Sequence, residues 1–135
     1  MVDSSVACKW FAPEKHSAQA LELLGAHIDG RLRLVAPDLI CYEVLNALRY
    51  HPGLSSADVK NSPRYLLDLQ LTLIRPTVAM LELAADFAIR EGVTIYDACY
   101  AALAESRDCI LVTDDKLLLK SSRRAAPISD WSLSG

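Results

Sequence analysis

LRLVAPDLICYEVLNALRY, residues 32–50, reads as a short β segment followed at once by a helix. Leu32 to Ala36 is the β segment, ended by Pro37, which has no amide to give to a strand ladder; Asp38 is placed to cap an apolar helix running to about Tyr50. The same alternation extends both ways. Upstream, residues 1–7 suggest a short strand, and His16 to Ile28 sets Ala20, Leu23, Leu24 and His27 or Ile28 at helical spacing. Downstream, Pro52-Gly53 with Ser55-Ser56 marks a turn, and a helix or two lie between Ser56 and Gln70, where Pro63 is expected to break or begin one. Leu71–Arg75 fits either class, while Val78, Leu81, Ala84, Ala85, Ala88 and Ile89 form a helical stripe ending at Gly92. A helix from about Asp97 to Ser106, a buried strand at Cys109–Val112, a short helix from Asp114 through Lys120 and an edge strand within Ala126–Ser129 follow. Strands alternating with helices predict an α/β chain with a parallel sheet covered on both faces.

With 135 residues, 52% of them hydrophobic and 23% charged, the chain suits one domain with one core and is too apolar for disorder. A net charge of −3 offers no global attraction to phosphate or anionic lipid, so any contact with nucleic acid must be local. Cys8, Cys41, Cys99 and Cys109 form no Cys-x-x-Cys pair and have no histidine at finger spacing, which argues against structural zinc and for a reducing compartment. Asp3 stands where a signal peptide would be positive, and no apolar run approaches the ~18 residues of a membrane span, so a cytoplasmic protein is expected. P-loop, dinucleotide-fingerprint and nucleophile-elbow patterns are missing, and His16, His27 and His51 read as surface or packing residues.

The informative residues are acids at the carboxyl ends of strands, where open α/β sheets bind ligands. Asp3 lies among β-formers, and Glu43 lies in the apolar helix with Asn46 three residues on, along the same face. Asp97 heads the alanine-rich helix; Asp114 and Asp115 follow the strand ending at Thr113, with Asp114 read as the cap and Asp115 as the chemical group. Carboxylates gathered at one sheet edge repel one another unless a counter-ion intervenes, and an all-oxygen set selects Mg²⁺ or Mn²⁺. Taken singly, each acid also has a plainer use, as a strand-end group, a buried ion pair of Glu43 with an arginine, or a first-turn acid at Asp97.

These blocks together resemble the PIN-domain ribonucleases, specifically the VapC-type toxins of prokaryotic toxin–antitoxin pairs. The resemblance rests on Val2-Asp3-Ser4-Ser5-Val6 continuing into Lys9-Trp10-Phe11, and on Glu43-Val44-Leu45-Asn46-Ala47-Leu48-Arg49. It rests equally on Tyr96-Asp97-Ala98 with Tyr100-Ala101-Ala102-Leu103-Ala104-Glu105, and on Leu111-Val112-Thr113-Asp114-Asp115. It implies a single PIN-like domain over residues 1–135, with a central parallel sheet of about four or five short strands and helices on both faces. It implies that Asp3, Glu43, Asp97 and Asp115 are the catalytic, metal-holding acids, with Ser5, Asn46 and Thr113 in support. The implied reaction is Mg²⁺- or Mn²⁺-dependent hydrolysis of RNA phosphodiesters, and the implied partners are an antitoxin and a second copy of the chain, with no membrane.

Setting those acids aside from the 17 acidic residues, against 14 basic ones, leaves the remainder slightly basic. Lys9, Lys116 and Lys120, with Arg123 and Arg124 nearby, are then candidate phosphate contacts. The alternative from another class is a catalytically inactive PIN-like module that holds a partner protein or RNA.

Overall fold

In the computed structural model, which describes residues 1–133, helices and strands alternate as expected, but the strands are short. β1 (Val35–Pro37) pairs in parallel with β2 (Thr72–Ile74), and β3 (Leu111–Thr113) pairs in parallel with β4 (Ala125–Pro127). Val2 joins the two pairs. Its N–H donates to the Val35 carbonyl at 3.1 Å, the Met1 carbonyl accepts from Val112 N–H at 2.8 Å, and Val2 bridges Val112 in parallel. The broad central sheet of the sequence reading is thus found as two two-stranded sheets joined through one residue. The strand expected over residues 1–7 is not formed, because the Asp3 carboxylate accepts from Val6 N–H and starts α1 (Ser4–Ala7), which continues as a 3₁₀ turn, Cys8–Trp10. The last residues of the expected domain, 134 and 135, lie outside the described residues.

α2 (Ser17–Ile28) follows the sequence reading closely. His27, near its end, ties three segments together. Its Nδ1 accepts from Leu34 N–H at 3.1 Å, so the neutral ring carries its proton on Nε2, which donates to the Leu69 carbonyl at 2.8 Å. His27→Ala should therefore leave a partly buried donor and acceptor unpaired and cost about 2 kcal/mol. A lowered urea midpoint with an unchanged slope checks this.

α3 (Ile40–Arg49) is entered through Leu39 without a side-chain cap, contrary to the reading of Asp38. Asp38 acts through its backbone instead, its N–H donating to the Ile74 carbonyl at the end of β2 and its carbonyl accepting from Cys41 N–H. Though apolar in sequence, the helix buries one face: Ile40, Val44 and Leu48 face the core, while Tyr42, Asn46, Ala47 and Arg49 are exposed.

α4 (Ser56–Asp68) opens on a reciprocal capping box between Ser55 and Asp58 and runs straight through Pro63, which the sequence alone marks as a breaker or a start. The local reason is Ser62. Pro63 has no N–H for the Val59 carbonyl, and the Ser62 hydroxyl donates to that same oxygen at 2.7 Å.

Thr77 caps α5 (Val78–Glu91), and Gly92 ends it at φ 69°, a left-handed conformation that suits glycine. The buried stripe is Met80, Ala84, Phe87 and Ala88, which keeps Ala84 and Ala88 of the expected one, while Val78, Leu81 and Ile89 are exposed. Thr94 caps α6 (Ile95–Ser106), whose buried Ala98, Ala101, Ala102 and Ala104 carry no bulk and let neighbouring elements come close. α7 (Lys116–Ser121) follows β3. One apolar cluster, from Met1 to Ile128, joins these layers. Among the described residues, no helix is long and apolar enough to cross a membrane.

Candidate active site

Asp3 is the most buried acid of the set, 3% exposed, and it is held by three donors. Ser5 Oγ donates to Oδ1 at 2.6 Å, Val6 N–H donates to the same oxygen at 3.2 Å, and Thr113 Oγ1 donates to Oδ2. Each carboxylate oxygen has two lone pairs, so Oδ1 is saturated and Oδ2 keeps one free direction. Burial nevertheless pushes the carboxyl up to about 6, the hydrogen bonds from Ser5, Thr113 and Val6 N–H pulling the other way and the Asp115 charge adding to the rise.

The two hydroxyls have a second use. With their protons committed to Asp3, their lone pairs face the chain beyond β3: Ser5 Oγ accepts from Asp114 N–H and Thr113 Oγ1 from Asp115 N–H, both at 2.9 Å. This fixes the backbone that carries the last two acids. The cap expected of Asp114 is made by Asp115 instead, which stays beside the other acids. Asp115 caps α7, its Oδ1 accepting from Leu118 N–H at 2.9 Å, and its charge also raises the proton affinity of Asp3, Glu43 and Asp97. Asp114 turns away and pairs with Lys9 at 3.0 Å.

Glu43 reaches the site from α3, half-buried, with Oε1 accepting from the Tyr100 hydroxyl at 2.6 Å. Burial raises its pKa; the Tyr100 hydrogen bond opposes the rise, while the charges of Asp97 and Asp115 add to it. Asp97 sits in the first turn of α6, with burial and then Asp115 raising its pKa and the Thr94 bond lowering it. Among the described residues, no lysine, arginine or histidine pairs with Asp3, Glu43, Asp97 or Asp115, so the arginine partner considered for Glu43 is not found.

Other expected residues are placed differently. Lys9, read as a surface phosphate contact, is 5% exposed and held by Asp114 and, at 3.4 Å, by Glu14. Asn46 is exposed, lines a groove with Tyr42, Leu45, Arg49 and Val59, and makes no hydrogen bond to the cluster among the described residues. Lys116 and Lys120 are exposed on α7, while Arg123 pairs with Glu105 and Arg124 with Asp108. Sequence reasoning misses Tyr100. Its signal is its place three residues after Asp97, as the one hydroxyl between that acid and the end of the alanine run at Ala104.

In kind, the site suits a hard divalent cation: its donors are oxygens, burial and the neighbouring acids raise the proton affinity of Asp3, Glu43 and Asp97, and Asp3 Oδ2 has a free lone pair. In spacing, no three His, Cys, Asp or Glu residues among the described ones already meet as a metal-holding group, so loading an ion calls for side-chain movement.

An acid cluster at the ends of parallel strands, reached from α3 and α6, defines a class, and a family model described as PIN domain matches residues 1–122. The chain belongs to the PIN domain family. It is 32% identical to ribonuclease VapC9 of Mycobacterium tuberculosis over 132 residues, 96% of this chain and 95% of that one. It is 33% identical to exonuclease VapC9 of Pyrobaculum aerophilum over 115 residues, 82% of this chain and 86% of that one. The crystal structure of PAE2754 from Pyrobaculum aerophilum superposes with a TM-score of 0.67 at 26% identity, covering 95% of this chain and 89% of that one.

Proposed function

We propose that this chain is a metal-dependent endoribonuclease, the toxin of a VapC-type toxin–antitoxin pair, acting in the cytoplasm. The observation that carries the reading is the uncompensated cluster of Asp3, Glu43, Asp97 and Asp115 in a PIN-family chain whose relatives include proteins named ribonucleases. Mg²⁺ or Mn²⁺ bound there would supply a Lewis acid that polarises a phosphate oxygen and acidifies an attacking water. Asp3 would offer Oδ2, the oxygen with a lone pair to spare, while Ser5 and Thr113 hold its plane. Glu43 would offer Oε2, since Oε1 is engaged by Tyr100. Asp97 and Asp115 complete the negative side, with Asp115 Oδ1 committed to the α7 amide and its other oxygen available. Lys116 and Lys120 would steady the phosphate backbone. A second copy of the chain and an antitoxin are the proposed protein partners; a groove between Trp10, Phe11, Leu48, Leu54, Tyr65 and Leu69 is a candidate seat for an antitoxin segment.

The test is cleavage of an internally labelled RNA blocked at both ends. Cleavage that stops in excess EDTA and returns with Mg²⁺ or Mn²⁺ is expected. Undiminished cleavage in chelator, or none under any metal condition, overturns the reading, and the latter favours the non-catalytic binding module. Products only from RNA with a free end would mark an exonuclease.

A further inference from the structure

Tyr100 holds no ion and touches no substrate in the proposed reaction, yet it meets the cluster directly. It is 1% exposed, and its ring is fixed among core residues, so its hydroxyl has one place to point. That place is Glu43 Oε1, at 2.6 Å and from a different helix. α6 carries Asp97 and, one turn on, Tyr100; residues three apart share a helix face. One rigid element thereby sets one acid of the cluster and holds a second from across the core.

We infer that Tyr100 is a positioning residue of the acidic cluster: its hydroxyl fixes the Glu43 carboxylate through Oε1 and leaves Oε2 to face the ion and the other acids. The inference rests on the metal-dependent reading of the site. The physical argument is preorganisation. Glu43 has three rotatable side-chain bonds and is only half-buried, so without a fixed donor it would spread over several rotamers, each directing its charge elsewhere. A buried phenol does need an acceptor, but a backbone carbonyl would serve that need equally. The choice of a cluster carboxylate ties Tyr100 to the ion. Outer-shell partners of metal-holding carboxylates typically contribute about 10–100-fold in metal affinity or activity.

The test is calorimetric titration of the full chain with Mn²⁺. Tyr100→Phe, which keeps the ring and removes one oxygen, is expected to weaken Mn²⁺ binding about tenfold or more. It should also lower kcat for RNA while leaving KM unchanged. In a Glu43→Gln background, the same change should have no further effect, because the group being positioned is no longer an anion. Glu43→Asp, which keeps the charge but falls short of the hydroxyl, should weaken binding comparably and answers the question even if Tyr100→Phe folds poorly. Affinity within twofold of the original chain in both variants, or an equal loss in the Glu43→Gln background, overturns the role of Tyr100 and leaves the nuclease reading standing. An original chain that binds no Mn²⁺ overturns both.

Discussion

Asp3→Asn is expected to abolish RNA cleavage and, with metal removed, to make the protein harder to unfold at pH 7. The first effect follows from losing the anionic Oδ2 that a cation would use. The second follows from burial. In the fold, the Asp3 carboxyl keeps its proton up to about pH 6, against an ordinary aspartate value of 3.8, so the ionised form is disfavoured by about 3 kcal/mol. The folded chain binds the proton more tightly than the unfolded one. Stability from this group is therefore fully present below about pH 4 and is lost as pH rises to about 6. Glu43 and Asp97, shifted in the same direction, add to that slope. Asparagine has no charge to desolvate, and its Nδ2 is accommodated once the Thr113 hydroxyl turns to accept from it. At pH 7 in EDTA, the variant should melt roughly 10 °C above the original chain, and the gap should close near pH 4. A variant that melts lower at pH 7, or a gap independent of pH, would show that Asp3 is not a strained anion.

The second large effect concerns stability alone. Lys9 is buried, and its ammonium is held by Asp114 at 3.0 Å and Glu14 at 3.4 Å. Both acids are about one-third exposed, so they can return to water at little cost; Lys9, with its side chain 4% exposed, cannot. Neutralising its partners in the double variant Asp114→Asn, Glu14→Gln leaves a buried charge without a counter-ion, which costs about 3 kcal/mol. A fall of roughly 10 °C in the melting midpoint is expected, and Lys9→Met placed on top should restore much of it. Failure of Lys9→Met to restore any stability would show that the charge is not the cause.

Local pattern carries a good part of this molecule. α2, α6 and the strand at β3 are legible because apolar spacing, caps and breakers agree. α5 is legible in place but not in orientation, since Val78, Leu81, Leu83 and Ile89 make it apolar on nearly every side and periodicity cannot choose a face. Pro63 misleads because its effect depends on the hydroxyl one residue earlier. At the site, Asp115 lies close enough to Asp3, Glu43 and Asp97 for its charge to raise their proton affinity, and that grouping is readable from topology and resemblance. The division of labour between Asp114 and Asp115 is not. Two adjacent acids have the same local propensities; what separates them is Lys9, more than a hundred positions away, which claims one and leaves the other to the helix.

The seam at Val2 and the bond from Thr113 to Asp3 have a consequence for biosynthesis. Residues 110 apart in sequence must meet before Asp3 acquires its second oxygen's partner, so the acidic cluster cannot assemble while the later part of the chain is still inside the ribosome.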